Sequence, residues 1–188
     1  EERKLQADVV LELDMKLYRE EEHDVIMDAY TPFRQYQPKG RTEMLESLLI
    51  RNFSRCRLSD RVTIRETQGK ILQICHSQGE VKVDKTQIVS DGIQVDGILR
   101  LKVLYIVGND DMPFYSAETV IPFSHTVEAK GISKDSVYYL HTELEQLSTT
   151  MADSNELEIR AMLGVNVLVI QCSEEFILDK MEEHPLDQ

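Results

Sequence analysis

The chain has 188 residues, which is enough for one large domain or two small ones with a sizeable core. Its composition, 41% apolar and 29% charged, is ordinary for a soluble globular protein. The formal net charge of −13 argues against binding to nucleic-acid phosphates and against attraction to an anionic membrane surface, since both need clustered lysine and arginine.

The first thirty residues predict a β-hairpin. Apolar and charged side chains alternate over residues 7–18, which is typical of a strand with one buried face. Residues 20–24 indicate a polar turn, because three consecutive glutamates point in different directions and suit a solvated turn better than a metal site. Residues 25–30 would be the return strand. The apolar face of the first strand comprises Val9, Leu11, Leu13, Met15 and Leu17.

The sequence starts abruptly in this strand-like pattern. Its first ten residues are too charged for the core of a signal peptide, and no run of 18 apolar residues predicts a transmembrane helix. We therefore expect a piece of a longer protein.

The region after the hairpin is harder to interpret. Residues 31–41 contain two prolines and a glycine and predict a loop or linker. Residues 42–50 suit either a short helix or a strand, and we favour extended structure from Leu48 onward. The next residues favour a strand, with Val62 and Ile64 on one face.

Residues 69–83 predict two short strands around a turn. Ile71, Leu72 and Ile74 would form the first strand, residues 77–79 the turn, and residues 81–83 the second strand.

The best-specified stretch is a long hairpin over residues 92–124. Its first strand alternates strictly, residues 108–111 form an acidic turn, and the second strand alternates from Tyr115 until Pro122-Phe123 ends it. The apolar face of the first strand comprises Val95, Leu99, Leu101, Val103, Tyr105 and Val107.

The C-terminal third predicts further strands. After a turn at residues 128–131, residues 137–151 fit either a helix or a strand, and the neighbouring strands and the pair Tyr138-Tyr139 favour the strand. A turn at 153–155 precedes the longest alternating strand, residues 157–169. We expect a turn at 172–175, a short return strand at 176–178, and a polar tail over 182–188 that frays.

Parts of the chain repeat one plan. Residues 9–28 and 157–179 share a long alternating strand, an acidic turn and a short apolar return. A different register aligns Pro32-Phe33 with Pro122-Phe123, so the period stays open. Many strands at hairpin spacing with little helix predict an all-β fold of antiparallel hairpins, in a β-sandwich or a barrel-like domain.

Catalytic motifs are absent from the sequence. It has no glycine-rich phosphate loop, no HExxH, no GxSxG and no Cys-His spacing typical of a metal site, and its five histidines are scattered. Cys75 directly precedes His76, but adjacent residues on a strand point to opposite faces, so the two could act together only at a β-bulge.

Other candidate groups favour structural roles. Asp110 and Asp111 sit at a hairpin tip where burial does not raise a pKa, and with Asn109 they supply too few oxygen ligands for calcium. Turn formation is therefore their favoured role. Tyr105, Tyr115 and Phe123 are expected to pack across strands rather than to form a sugar platform, and the absence of tryptophan also weakens a carbohydrate-binding interpretation.

The cysteines do not indicate a disulfide framework. Cys56, Cys75 and Cys172 are odd in number and have no CxxC or other short paired spacing. We expect a reducing compartment and treat the three as small buried apolar residues.

A family resemblance rests on the central hairpin and its flanks. The features are the strand GILRLKVLY at residues 97–105, the acidic turn, the close IPFS at residues 121–124, the lead-in at 70–84 and the late strand at 156–171. Together they resemble the SPOCS domain of SipL-type spore-assembly proteins from anaerobic spore-forming bacteria, over roughly residues 60–185. Residues 9–32 resemble the closing hairpin of a preceding copy, so we expect residues 1–58 to hold that hairpin plus a linker and residues 59–188 to hold the SPOCS domain.

The resemblance implies a function that the residues alone do not. It implies a non-enzymatic structural and interaction module without a cofactor, in a protein that assembles the spore coat and cortex in the mother-cell cytoplasm at the forespore surface. A SpoIVA-type ATPase is the implied partner, through a LysM domain outside this sequence, and self-association is possible. No binding residues are assigned.

Two alternatives stay open at this point. Surface tyrosines suggest a β-sandwich that binds glycan or cell-wall polymer. An enzyme would need an open pocket lined by His76, Cys75 or Asp110.

Overall fold

The computed structural model describes residues 6–15, 17, 19–29, 32, 36–64 and 70–183, and within them the fold is all β, as predicted. No helix that could cross a membrane occurs among these residues. The first and last strands have 28 residues each, several times the usual strand length of about five to six. The six strands are β1 (Tyr36–Thr63), β2 (Ile71–Val89), β3 (Gly92–Val107), β4 (Phe114–Glu128), β5 (Val137–Asp153) and β6 (Glu156–Glu183).

The strands form two antiparallel sheets that pack face to face as a β-sandwich. Sheet A has the order β1-β6-β5, and sheet B has the order β2-β3-β4. The chain leaves sheet A after β1, builds all of sheet B, and returns to place β5 and β6. The edges of the two sheets also meet, β2 with β5 and β1 with β4.

The core lies between the central strands β3 and β6. Every residue predicted for the apolar face of β3 is buried, and so is every second residue of β6 from Leu157 to Val169. Strict alternation has this consequence because successive side chains on a strand point to opposite sides of the sheet. Residues 137–151 form β5, which confirms the strand interpretation over the helix.

Side-chain hydrogen bonds connect the two sheets along both edges. The hydroxyls of Thr86 on β2 and Tyr138 on β5 lie 2.8 Å apart. On the opposite edge, Ser54 Oγ on β1 and His125 Nε2 on β4 lie 2.7 Å apart. Burial lowers the pKa of His125, because desolvation disfavours the charged imidazolium.

Beyond the sandwich, β1 and β6 continue together as a two-stranded ribbon. We call the pairing of residues 36–48 with residues 170–183 the distal ribbon. The last residue of β6 that pairs with β5 is Ile170, so the rest of this edge of β6 has no β5 beside it. Ion pairs across the ribbon join Lys39 to Glu182 and Arg41 to Asp179. Hydrogen bonds from Lys180 and from Lys39 lower the pKa of Glu182 to about 2, so this carboxylate keeps its charge to low pH.

The predicted N-terminal hairpin is wrong for the residues that the structure describes. Residues 6–15, 17 and 19–29 have no regular secondary structure, and the apolar side chains of the predicted strand are exposed. Alternation indicates which side chains would share a face, but a strand also needs a partner backbone. Leu178 N of β6 donates to Ile26 O at 2.8 Å, and this is one contact rather than a ladder. Tyr18 and Tyr30, at the ends of the two predicted strands, lie outside the described residues.

Three predicted strand ends are also wrong. Residues 77–79 and 172–175 are extended inside β2 and β6, and β4 continues through Pro122. Gly79 marks a close approach of the sheets, since a Cβ there would lie 2.6 Å from Leu144 Cδ2. Pro122 is tolerated because β4 is an edge strand, where one missing N–H costs no ladder bond.

The long β1 replaces a predicted linker and settles an open alternative. Residues 36–41 are strand rather than linker, and residues 42–50, which suited either a helix or a strand, are strand throughout. Their backbone groups pair with β6, which outweighs the local preferences of Pro38 and Gly40. The boundary predicted between residues 58 and 59 falls inside β1. The division into one repeat and the end of another stays a prediction, as does the internal repetition, and the tail at 184–188 lies outside the described residues.

The stretch at residues 97–105 begins with a glycine because its neighbours leave no room for a side chain there. Gly97 pairs with Phe123 across β3 and β4, and a Cβ at Gly97 would lie 2.4 Å from Lys82 O and 2.9 Å from Phe123 Cζ. The ring of Phe123 therefore fills the space that a side chain at Gly97 would take. Phe123 itself is buried in the core.

We predict that Gly97→Ala destabilises the protein by about 1–3 kcal/mol, because the backbone of β2 must move to admit the methyl group. Gly108→Ala is the matched control, since a Cβ there meets its nearest neighbour, Leu72 Cδ1, at an ordinary 3.7 Å. Urea unfolding of both variants measures the difference. Equal stability of the two variants would show that the packing at Gly97 is not a constraint.

His125 makes folding sensitive to mild acid. The unfolded state binds a proton near pH 6.5, whereas the folded state binds it at a lower pH. Stability is therefore retained above the unfolded-state pKa and falls as the pH drops through it. We expect the free energy of unfolding to fall between pH 7.5 and pH 5.5, and to fall less in His125→Gln. Unfolding curves measured across this pH range test the prediction. It is contradicted if the free energy of unfolding depends on pH equally in the variant and the wild type.

Candidate functional site

The structure supplies the bulge that Cys75 and His76 would need to act together. The register between β2 and β3 shifts between Ile74 and His76, so Cys75 has no partner on β3. Both side chains are exposed. Neither forms a hydrogen bond or ion pair with another described residue, so the geometry does not assemble a nucleophile with its base there.

The hairpin tip is a turn held by Asn109. Its Oδ1 accepts hydrogen bonds from Asp111 N at 3.0 Å and Met112 N at 3.4 Å. Asp110 and Asp111 are both exposed. Among the described residues, no three His, Cys, Asp or Glu side chains are grouped so that they could hold a metal ion.

The aromatic residues of the central hairpin belong to the core. The rings of Tyr105 and Tyr115 stack with centroids 6.3 Å apart, and Tyr105 and Phe123 are buried. Burial raises the pKa of Tyr105, with a smaller contribution from Tyr115. These residues pack across strands, as predicted.

A row of arginines along β1 is the feature that stands out on the surface. Over residues 51–63 of this strand the even-numbered residues point into the sandwich, Cys56 and Leu58 among them, and the odd-numbered residues point outward. The chain carries a net charge of −13, yet four of the outward positions in this stretch are cationic. We call the outward set the arginine row: Arg51, Phe53, Arg55, Arg57, Ser59 and Arg61.

Phe53 and Arg55 of the arginine row are packed in place. Arg55 lies over the Phe53 ring, 4.9 Å from its centroid, and its Nε donates to Glu145 Oε2 at 2.8 Å. Arg55 thereby reaches from β1 across the central strand to β5. Gly164 on β6 permits this, since a Cβ there would lie 3.1 Å from Phe53 Cε2. Hydrogen bonding to Glu145 raises the pKa of Arg55.

Two arginines of the row, Arg51 and Arg57, are not engaged in an ion pair with a described residue. In the part of the chain that the structure describes, Arg51 and Arg57 form no ion pair, whereas Arg61 pairs with Glu156 at 3.6 Å. Both are exposed. They are cations on an ordered sheet that are not neutralised by a described neighbour.

An open groove runs beside Arg51 on the outer face of sheet A. Its floor is the sheet, and its other wall is formed by residues of the N-terminal segment. Floor residues are apolar or aromatic at several positions, including Leu48 and Tyr139, which are 39% and 44% exposed. The wall carries the acidic residues Asp14, Glu20, Glu21 and Glu22, together with Leu17 and Arg19, whose Nε lies 2.9 Å from Glu21 Oε1.

The arginine row was missed at the sequence level although its signal is present. The stretch RNFSRCRLSDR places arginines at positions of one parity, and the same alternation that marks a buried face marks this charged one. The groove was not predictable from the sequence, because Arg51 and the acidic residues across from it are about thirty residues apart in the chain.

Comparison with known proteins gave one match. Residues 70–152 match the family model described as SipL, SPOCS domain. The match runs from the start of β2 to the end of β5 and leaves β1 and β6 outside. No curated protein and no solved structure gave a significant match. The expected resemblance is confirmed over these residues.

Cysteine reactivity tests the surface placement. All three cysteines are free thiols. Cys75 is exposed, contrary to the prediction of burial, and Cys172 is half-buried. Cys56 is buried, and desolvation raises its pKa. We expect iodoacetamide at pH 7 to modify Cys75 faster than Cys56 by roughly tenfold or more, because the thiolate is the reactive form and must be accessible. Mass spectrometry of timed samples measures this. Modification in denaturant is the control, and equal rates in the native protein contradict the placement.

Proposed function

We propose, from the match of residues 70–152 to the SPOCS domain model of SipL, that the chain is a non-enzymatic structural and protein-interaction module of a protein that assembles the spore envelope, coat and cortex. The family match carries the proposal, since it associates the chain with sporulation. The alternation that defines the matched strands accounts for a core and does not identify a binding partner.

The surface supports an interaction role on physical grounds. The outer face of sheet A combines arginine with exposed aromatic side chains, Phe53 and Tyr139, and these residue types are enriched in protein interfaces. The distal ribbon also has an edge of β6 beyond Ile170 that β5 does not cover. Uncovered strand edges can accept a further strand, from a partner or a second copy.

The proposed setting follows the family. The protein would act in the mother-cell cytoplasm at the forespore surface, with a SpoIVA-type ATPase as partner through a LysM domain outside this sequence. Self-association through the ribbon edge is part of the same proposal.

Glycan binding remains a prediction from the sequence. Two of the three aromatic residues considered for it, Tyr105 and Phe123, lie in the core. No observation on the described surface favours it over protein binding.

The proposal is tested in sporulating cells. Residues 36–183 of the full-length protein would be replaced by a flexible linker, and protein level would be checked by immunoblot. We expect spores with a defective coat and cortex at an unchanged protein level, as seen by electron microscopy. A normal spore envelope would overturn the proposal.

A further inference from the structure

The arginine row and the acidic N-terminal segment are complementary in charge. Arg51 lines the groove on the sheet side, and the opposite wall carries Asp14 and residues 20–22, together with Arg19, which pairs with Glu21 at 2.9 Å. The carboxylates on this wall outnumber its one arginine. Leu17 lines the same groove, close to the apolar floor. An acidic stretch with an apolar residue a few positions before it therefore already lies along one end of the row.

The arginine row extends well beyond the groove. Arg57 and Arg61 belong to the row but do not line the groove. Alternate residues on a strand repeat every ~6.6 Å, so the outward cations follow a spacing that an extended polypeptide with acidic side chains can match. Guanidinium groups bind carboxylates with two parallel hydrogen bonds, and the exposed Phe53 supplies apolar contact beside them.

We propose that the outer face of sheet A, along the arginine row, is a docking surface for an acidic, extended polypeptide segment of a partner protein. In the isolated chain, Asp14, Leu17 and residues 19–22 line the groove at one end of this surface, and this acidic segment competes with the partner. The proposal rests on the interaction role proposed above, but it concerns one surface and is tested with purified protein, so each can fail without the other.

Competition between the two acidic segments has a direct consequence. A partner must displace the chain's own segment or bind beside it, so weakening the electrostatic attraction of that segment to the row strengthens external binding. Removing the positive charges of the arginine row weakens the binding of both the chain's own segment and the partner.

The probe is a fluorescent synthetic peptide with the sequence of residues 14–24, added to the purified 188-residue chain and followed by anisotropy. We expect the double variant Arg51→Glu/Arg57→Glu to lose about tenfold or more in affinity, because two attractive charges become repulsive. The triple variant Glu20→Gln/Glu21→Gln/Glu22→Gln should bind the peptide about threefold or more tightly, because its own competitor is weakened. Arg100→Glu, which reverses an exposed charge on sheet B, is the matched control and should bind as the wild type does.

Three results would overturn the proposal. The first is an affinity that does not change in the double arginine variant, whose fold is checked by its thermal unfolding. The second is an equal loss in Arg100→Glu, which would indicate net charge rather than a site. The third is equal affinity for a heparin oligosaccharide or for a peptide with its glutamates changed to glutamine, since either removes selectivity for an acidic polypeptide.

Discussion

The pairing of β1 with β6 is the interaction on which the rest of the structure depends. It runs without interruption by another strand from Tyr36 opposite Glu183 to Thr63 opposite Glu156, with two small register shifts. Because β6 is central in sheet A, this ladder fixes which side chains of β6 enter the core and which side chains of β1 form the outer face. A register error of one residue would exchange Cys56 with Arg55 or Arg57 and place a guanidinium in the core. The core and the arginine row are therefore two results of one register.

Periodicity predicted the parts of the fold in which one strand face is buried. The faces of β3 and β6 were correct at every position because burial on one side imposes strict alternation. Strand ends were less predictable. Gly79 and the acidic residues near Glu174 are typical of turns, yet both lie inside strands that their neighbours hold extended. Here long-range pairing outweighed local preference, and no local pattern reports which distant strand a residue will meet.

The N-terminal segment illustrates the opposite failure. Val9 to Leu17 has as clear an alternation as β6, yet Leu13 and Leu17 of its apolar face are 83% and 91% exposed. A pattern records what a strand would do beside a partner, and the described residues provide this segment with one backbone hydrogen bond at Ile26. The candidate surface was hidden for a related reason. Its arginines were readable from the sequence, but the acidic wall opposite Arg51 depends on a path of the chain that periodicity does not describe.

The charged edge of the distal ribbon bears on how such a protein avoids unwanted polymerisation. A long two-stranded ribbon with an open backbone edge would ordinarily template the addition of any extended chain. Here the edge strand carries Glu174, Asp179, Lys180 and Glu183, and Glu182 keeps its charge far into the acid range. Lysine and carboxylate side chains on an edge penalise a strand that cannot neutralise them. The ribbon thus discriminates among incoming strands by charge before any backbone bond forms, so a strand without complementary charges is disfavoured at this edge.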